Sequence, residues 1–171
     1  MAETTGIVAV KKALRRLPLV AAGLIGGLVI AVFHLVSPLI RIRVVKLHAE
    51  RIGHLIANTH YWCLRQEIAP PTGRQFTIFL SGQTIANPVV LEKIAEQLFV
   101  ITSDLVLYIY YGARFLYPRS RVWVDFGDTG TFDYATWAKA TKPFLTLSEA
   151  DLRMGQKLRA TMGIPDDAEI V

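Results

Sequence analysis

Apolar positions along the chain fall into two regimes. Residues 17–40 read LPLVAAGLIGGLVIAVFHLVSPLI, twenty-four residues without Asp, Glu, Lys or Arg. At 1.5 Å rise per residue, roughly 20 helical residues cross a hydrocarbon core, so this run is long enough with some tilt. Beyond it, apolar residues come in short bursts between turn signals. Residues 42–47 alternate β-branched and basic side chains and predict a strand, AERIG predicts a turn, and residues 54–65 predict a helix of loose apolar period. APPTGR is a loop, and QFTIFLSG predicts a second strand, buried on both faces. NPVVLEKIAEQLFV carries the best helix start in the chain, with Asn87 as N-cap and Pro88 at the first helical position.

The stretch FVITSDLVLYIYYGARFLYP has the apolarity of a second membrane span, but Ser103, Asp104 and Arg114 interrupt it. A central Asp costs about 2.5–3.5 kcal/mol on insertion scales, so a strand over 99–102 and a helix over 104–117 are expected instead. Residues 121–126 predict another strand and GDTGTFDY a turn-rich loop. TLSEADLRMGQKLRATMGIP predicts a helix opened by a capping box of Thr146 and Glu149, with Leu152, Leu158 and Met162 on one side and a stop at Gly163 and Pro165. DDAEIV then approaches one more strand. Strand, loop and helix repeating in this order predict an α/β fold: a Rossmann-like parallel sheet with flanking helices, preceded by an N-terminal membrane helix.

For residues 17–40, a cleaved signal peptide would have a shorter apolar core and a small-residue cleavage site. A buried core helix would be weakened by Gly23, Gly26 and Gly27, which are ordinary in bilayers. A membrane anchor is therefore the expectation, with residues 1–16 as a basic tail. The spacing Gly23-x-x-x-Gly27 permits close helix packing, although in a glycine-rich run the pattern reflects composition as readily as contact. Composition agrees with a membrane segment: 52% of residues are hydrophobic and the mean hydropathy is +0.35.

Charge refines the picture. The net charge is +5, but residues 1–51 carry eight Lys/Arg against two acids, whereas the remainder carries eleven against twelve. Basic residues bracket the apolar run, as contacts to anionic lipid head groups would require, and nucleic-acid binding loses its main support. Cys63 is alone, which excludes an intrachain disulfide and fits a reducing compartment.

His48, His54 and His60 fall six residues apart. Helical ligand pairs share a face at spacings of three or four, and no Cys or acidic cluster completes a set, so no metal site is expected. The acids Asp125, Asp128 and Asp133 do not follow the calcium-loop order and read as solvated turn residues. The turn ERIGH has more chemical content. A helix starting near His54 offers free N–H groups to an anion, Gly53 lets backbone approach a ligand or adopt positive φ, and Arg51 adds charge. A plain strand-to-helix turn accounts for the same residues.

RIGHLIANTHYWCLRQ after a basic, β-branched strand, ANPVVLEKIAEQLFV after a short one, and LTLSEADLRMGQKLRATMGIPDDAEIV together resemble the N-terminal part of a family of bacterial glycosyltransferases of GT-B type. The likeness covers most of residues 41–171, with 103–142 matching in pattern only. It implies a first Rossmann-like half whose Arg51, Gly53, His54 and Asn58 face a substrate cleft, with the nucleotide-sugar donor held mainly by a second half. On that likeness, residues 41–171 are a truncated half-domain, inactive alone, in an enzyme of surface polysaccharide or envelope glycan synthesis. Its partners would be membrane lipids and a nucleotide-sugar or glycan acceptor, with no nucleic acid and no cofactor. Its place would be the bacterial inner membrane, with the soluble part in the cytoplasm. The alternative is a small non-catalytic membrane-tethered α/β module that binds a partner.

Overall fold

The computed structural model describes residues 2–124 and 145–165, which fall into two units. The first holds α1 (Ala2–Val36), β1 (Arg41–Lys46), α2 (Ile52–Ile68), β2 (Gln75–Ser81), α3 (Pro88–Ala95), β3 (Val100–Thr102), α4 (Asp104–Leu116) and β4 (Trp123–Val124). The strands form one parallel sheet in the order β3-β2-β1-β4. In register, Arg41 to Lys46 lie opposite Gln75 to Leu80, Phe79 lies opposite Val100, and Val44 lies opposite Trp123. The α/β class and the strand-helix alternation are as expected, and FVITSDLVLYIYYGARFLYP divides into β3 and α4.

Side chains alternate across a strand, so each face has its own cover. Val44, Ile78, Leu80, Ile101 and Trp123 pack with Ile30 and Phe33 of α1 and with Val106, Leu107, Tyr110 and Ala113 of α4. On the other face Phe79 meets Trp62 of α2 edge-on, with ring centroids 5.8 Å apart. Val45, Leu55, Thr59 and Ile94 are fully buried. The expectation that β2 is buried on both faces holds only for its last residues, Phe79 to Ser81. Phe76 near its start is exposed and leans on Phe99.

The N-terminal helix departs from the expected boundary: it runs unbroken from Ala2, with Pro18 inside it instead of in its first turn. Leu17–Val36 is long and apolar enough to cross a membrane. The same segment is also a layer of the fold, because Ala22 and Ile30 are buried and the helix crosses α4. Glycines make the crossing. A Cβ on Gly23 would sit 2.5 Å from the Gly112 carbonyl oxygen, one on Gly26 would strike the Ala113 methyl, and one on Gly27 would come within 2.7 Å of the Tyr117 ring. Gly112 is equally confined: a Cβ there would sit 2.5 Å from the Gly23 nitrogen and the Leu19 carbonyl oxygen. The Gly23-x-x-x-Gly27 spacing therefore serves contact, not composition alone.

In the second unit α5 (Glu149–Thr161) is capped two residues later than expected. The Asp151 N–H donates to Ser148 Oγ at 3.2 Å, and the Ser148 N–H donates to the Asp151 carboxylate at 2.8 Å. Ser148 and Asp151 close the box because Asp, like Glu, reaches back to the N-cap N–H. Glu149 instead pairs with Arg153 at 3.4 Å. The helix ends at Gly163, whose φ of +70° suits only glycine without strain. Leu152, Leu158 and Met162 are all exposed. Residues 125–126 of the expected strand, the acids Asp125, Asp128 and Asp133, and DDAEIV lie outside the described residues.

Because the helix crossing leaves no room for a side chain, Gly112→Val should destabilise the first unit by about 1–3 kcal/mol, the usual cost of overpacking. Gly53→Val, at a position with free space, serves as control. Urea denaturation in detergent followed by tryptophan fluorescence measures both, and an unchanged midpoint for Gly112→Val would show that the helices separate without cost.

Candidate functional site

In an open parallel sheet, ligands bind beyond the carboxyl ends of the strands where the strand order reverses. Here the order reverses between β1 and β4, so the turn leaving β1 occupies that point. It runs from Leu47 to Arg51 and holds the first two ERIGH residues, Glu50 and Arg51, while Ile52, Gly53 and His54 already belong to α2. The Arg51 N–H donates to the His48 carbonyl at 3.3 Å, the Leu55 N–H donates to the Arg51 carbonyl at 2.9 Å, and the Ala86 N–H donates to the Ala49 carbonyl at 2.8 Å. The last bond ties the turn to the loop that follows β2.

Three helix N-termini converge on this edge, and they differ. α3 is capped by Asn87, whose side chain accepts from the Val90 N–H at 3.1 Å. α4 is capped by Ser103, whose hydroxyl accepts from the Val106 N–H at 3.3 Å, and Asp104 lies in its first turn. Asp104 also accepts from the Gln83 N–H at 2.8 Å. α2 has Arg51 at its N-cap, with no side-chain cap and no acid in its first turn. Its first N–H groups keep their donor capacity and the positive end of the helix dipole is uncompensated by its own residues.

Around that N-terminus sit Lys46, His48, Glu50, Arg51 and His54. His48 Nδ1 is 3.3 Å from Glu50 Oε1, Lys46 Nζ is 3.7 Å from the same oxygen, and the His48 and His54 rings are 6.0 Å apart. Partial burial alone would raise the Glu50 carboxyl, but a bond from its own backbone, the Lys46 charge and His48 outweigh it and hold it below its ordinary value. Burial pulls Lys46 down, while Tyr111 and Glu50 push harder and leave it raised. Cys63, half-buried on the same helix, is pushed up to about 12 by burial, so it is a poor nucleophile near neutral pH.

Of the four residues that sequence placed in a cleft, Arg51 and Gly53 are exposed and His54 is half-buried, all at the start of α2. Asn58 is not with them, being only 4% exposed on the sheet-facing side with Leu55 and Thr59. Gly53 lies inside the helix, not in a turn. Its φ is not positive, and a Cβ there would meet nothing within 4 Å, so its own fold sets no demand for glycine. Lys46 and Glu50 join the cluster without having been singled out from sequence; an i,i+4 charge pair across a strand end carries no recognisable signal. Among the described residues no three His, Cys, Asp or Glu side chains converge as a metal site would require. No protein-family model, curated protein or solved structure matches the chain.

Two consequences can be measured. Gly53→Ala should stabilise the first unit by up to about 1 kcal/mol, since Ala is the better helix former and space is free; destabilisation by urea denaturation would reveal a hidden steric demand. Glu50→Gln should cost about 0–1 kcal/mol at pH 7, a small effect because the pair is solvent-screened. Since folding lowers the Glu50 pKa, its contribution is present above the unfolded carboxylate value and is lost as pH falls through the folded one. The gap between wild type and variant should therefore close on acidification from pH 5 to pH 3, and a gap that widens would reverse the sign.

Proposed function

We propose that the chain is the membrane-attached, Rossmann-like first half of a bacterial glycosyltransferase of GT-B type acting in surface polysaccharide or envelope glycan synthesis. One observation carries the reading: the uncapped N-terminus of α2, with Arg51 and His54 beside it, lies at the point where the strand order reverses. That is where an α/β sheet receives a phosphate-bearing ligand. The resemblance of RIGHLIANTHYWCLRQ and the two later segments to that family supports the same assignment. Arg51 would offset phosphate charge, the N–H groups of α2 would hold its oxygens, and His54 would donate to or take a proton from an acceptor hydroxyl. The apolar α1 would keep this edge close to lipid-linked intermediates at the inner membrane, with the sheet on the cytoplasmic side.

A second reading, a non-catalytic membrane-tethered module that binds a partner, is favoured by α5. It buries none of its residues and exposes Leu152, Met154, Leu158 and Met162.

Chromosomal substitution separates the two. Arg51→Ala with His54→Ala should abolish surface polysaccharide, scored by gel and glycan staining, while the protein stays at wild-type level in carbonate-washed membranes. Polysaccharide unchanged by those substitutions but lost on Leu158→Asp with Met162→Asp would refute the transferase reading in favour of the module.

A further inference from the structure

The opposite edge of the sheet carries a second basic site. β1 pairs with β2 from Arg41 onwards, whereas among the described residues its pairing with β4 starts at Val44. β4 is absent beside the first half of β1, which leaves a notch in the sheet. A cavity of about 410 Å³ fills it, walled by Arg41, Ile42 and Arg43 on one side, Arg121 and Val122 on the other, and the end of α1 with His34.

Its chemistry is one-sided. Arg41, Arg43 and Arg121 are among the residues that line it, and among the described residues no Asp or Glu is. Arg41, Arg43 and Arg121 have no ion pair or side-chain hydrogen bond among the described residues, and His34 is held towards Ser120 by a 3.2 Å hydrogen bond. The Arg41 N–H donates to Arg74 on the β2 side and the Val44 N–H donates to Val122 on the β4 side. By that alternation the Ile42 N–H points into the notch, where β4 offers no residue opposite it. Planar guanidinium forks with a backbone N–H are a donor set for phosphate oxygens.

The location identifies the source of the phosphate. The notch begins where the apolar run of α1 stops at Val36 and the Ser37–Pro38 turn leads to Arg41. Phe33 lines both the notch and an adjoining apolar cavity of about 240 Å³ bounded by α1, α4 and the sheet. A ligand with its phosphate among the arginines thus has apolar surface directly beside it, which suits a lipid and not a free ion. We infer that the notch formed by Arg41, Arg43, Arg121 and His34 binds the phosphate head group of an anionic membrane lipid. This rests on the membrane reading of α1 but not on transferase activity.

The test uses the full chain in neutral detergent, titrated with dioctanoyl phosphatidic acid, dioctanoyl phosphatidylcholine or inorganic phosphate, with bound lipid counted by native mass spectrometry. One phosphatidic acid per chain should bind, in preference to phosphatidylcholine and to inorganic phosphate. Affinity should fall roughly fivefold for each arginine removed, the worth of one cation at a lipid surface, in Arg41→Gln, Arg43→Gln and Arg121→Gln singly and further in combination. The single substitutions guard against misfolding of the triple variant. Arg65→Gln, Arg153→Gln and Lys157→Gln together, an equal charge loss elsewhere, should leave binding unchanged. Equal loss in that control would make the effect one of net charge and overturn the site. Inorganic phosphate binding as tightly as the lipid would overturn the lipid assignment. Flotation on pure phosphatidylcholine vesicles tests α1 separately. Flotation without discrimination between lipids in the titration removes the notch and leaves the membrane reading standing, whereas no flotation on any vesicle removes both.

Discussion

The crossing of α1 over α4 at Gly23 and Gly112 is the contact on which the first unit depends. Backbone meets backbone there, and a single methyl on either glycine would overlap its neighbour. Close approach lets α1 reach past α4 and set Ile30 and Phe33 onto Val44, Leu80 and Trp123. An apolar helix that sequence marks as an anchor is therefore also one of the covers of the sheet. Removing it would bare the face formed by Val44, Ile78 and Leu80, so cutting the chain at Arg41 would disturb the fold itself.

The sheet consequently has two basic edges with different geometry. At the carboxyl edge the positive character comes from a helix N-terminus and Arg51 beside an ion-paired Glu50, within loops tied together by backbone bonds. At the amino edge it comes from arginine side chains, around a gap where β4 begins too late to meet the first half of β1. The six residues of β1 separate the two by about 20 Å. A parallel strand order makes this arrangement possible, because every crossover helix starts at one edge and every strand starts at the other.

Much of the fold was legible in residue pattern because local signals agreed with tertiary need. Asn87 with Pro88, the interruption of an apolar run at Ser103 and Asp104, and the β-branched run after Arg41 each marked an element found at that place. Boundaries failed where the deciding force was tertiary. The N-terminal helix extends back through Pro18, and α2 starts at Ile52 because the turn after β1 closes through the Arg51 carbonyl, not at the glycine. The site was legible as a place and less so as a list. Arg51, Gly53 and His54 share one helix start, whereas Asn58, one turn after His54, is buried with Leu55 and Thr59. The amino-edge notch was invisible, since it arises from where β4 begins and not from any motif.

The exposed side of α1 is the strongest argument that water is not its only surroundings. A core helix of a soluble protein buries its apolar stripe and turns polar residues outward. Only 22% of the apolar window is buried here, and the outward residues are themselves apolar, with Leu28 at 72% and Leu35 at 80% exposure beside Leu24, Ile25 and Val32. Leaving a leucine-sized side chain in water forgoes about 1.5–3 kcal/mol relative to burial. Five such residues together forgo on the order of 10 kcal/mol, comparable to the whole stability of a typical domain. α4 adds to the same demand through Leu105 and Phe115. An apolar phase against these two helices relieves that deficit without altering a single contact on their inner sides.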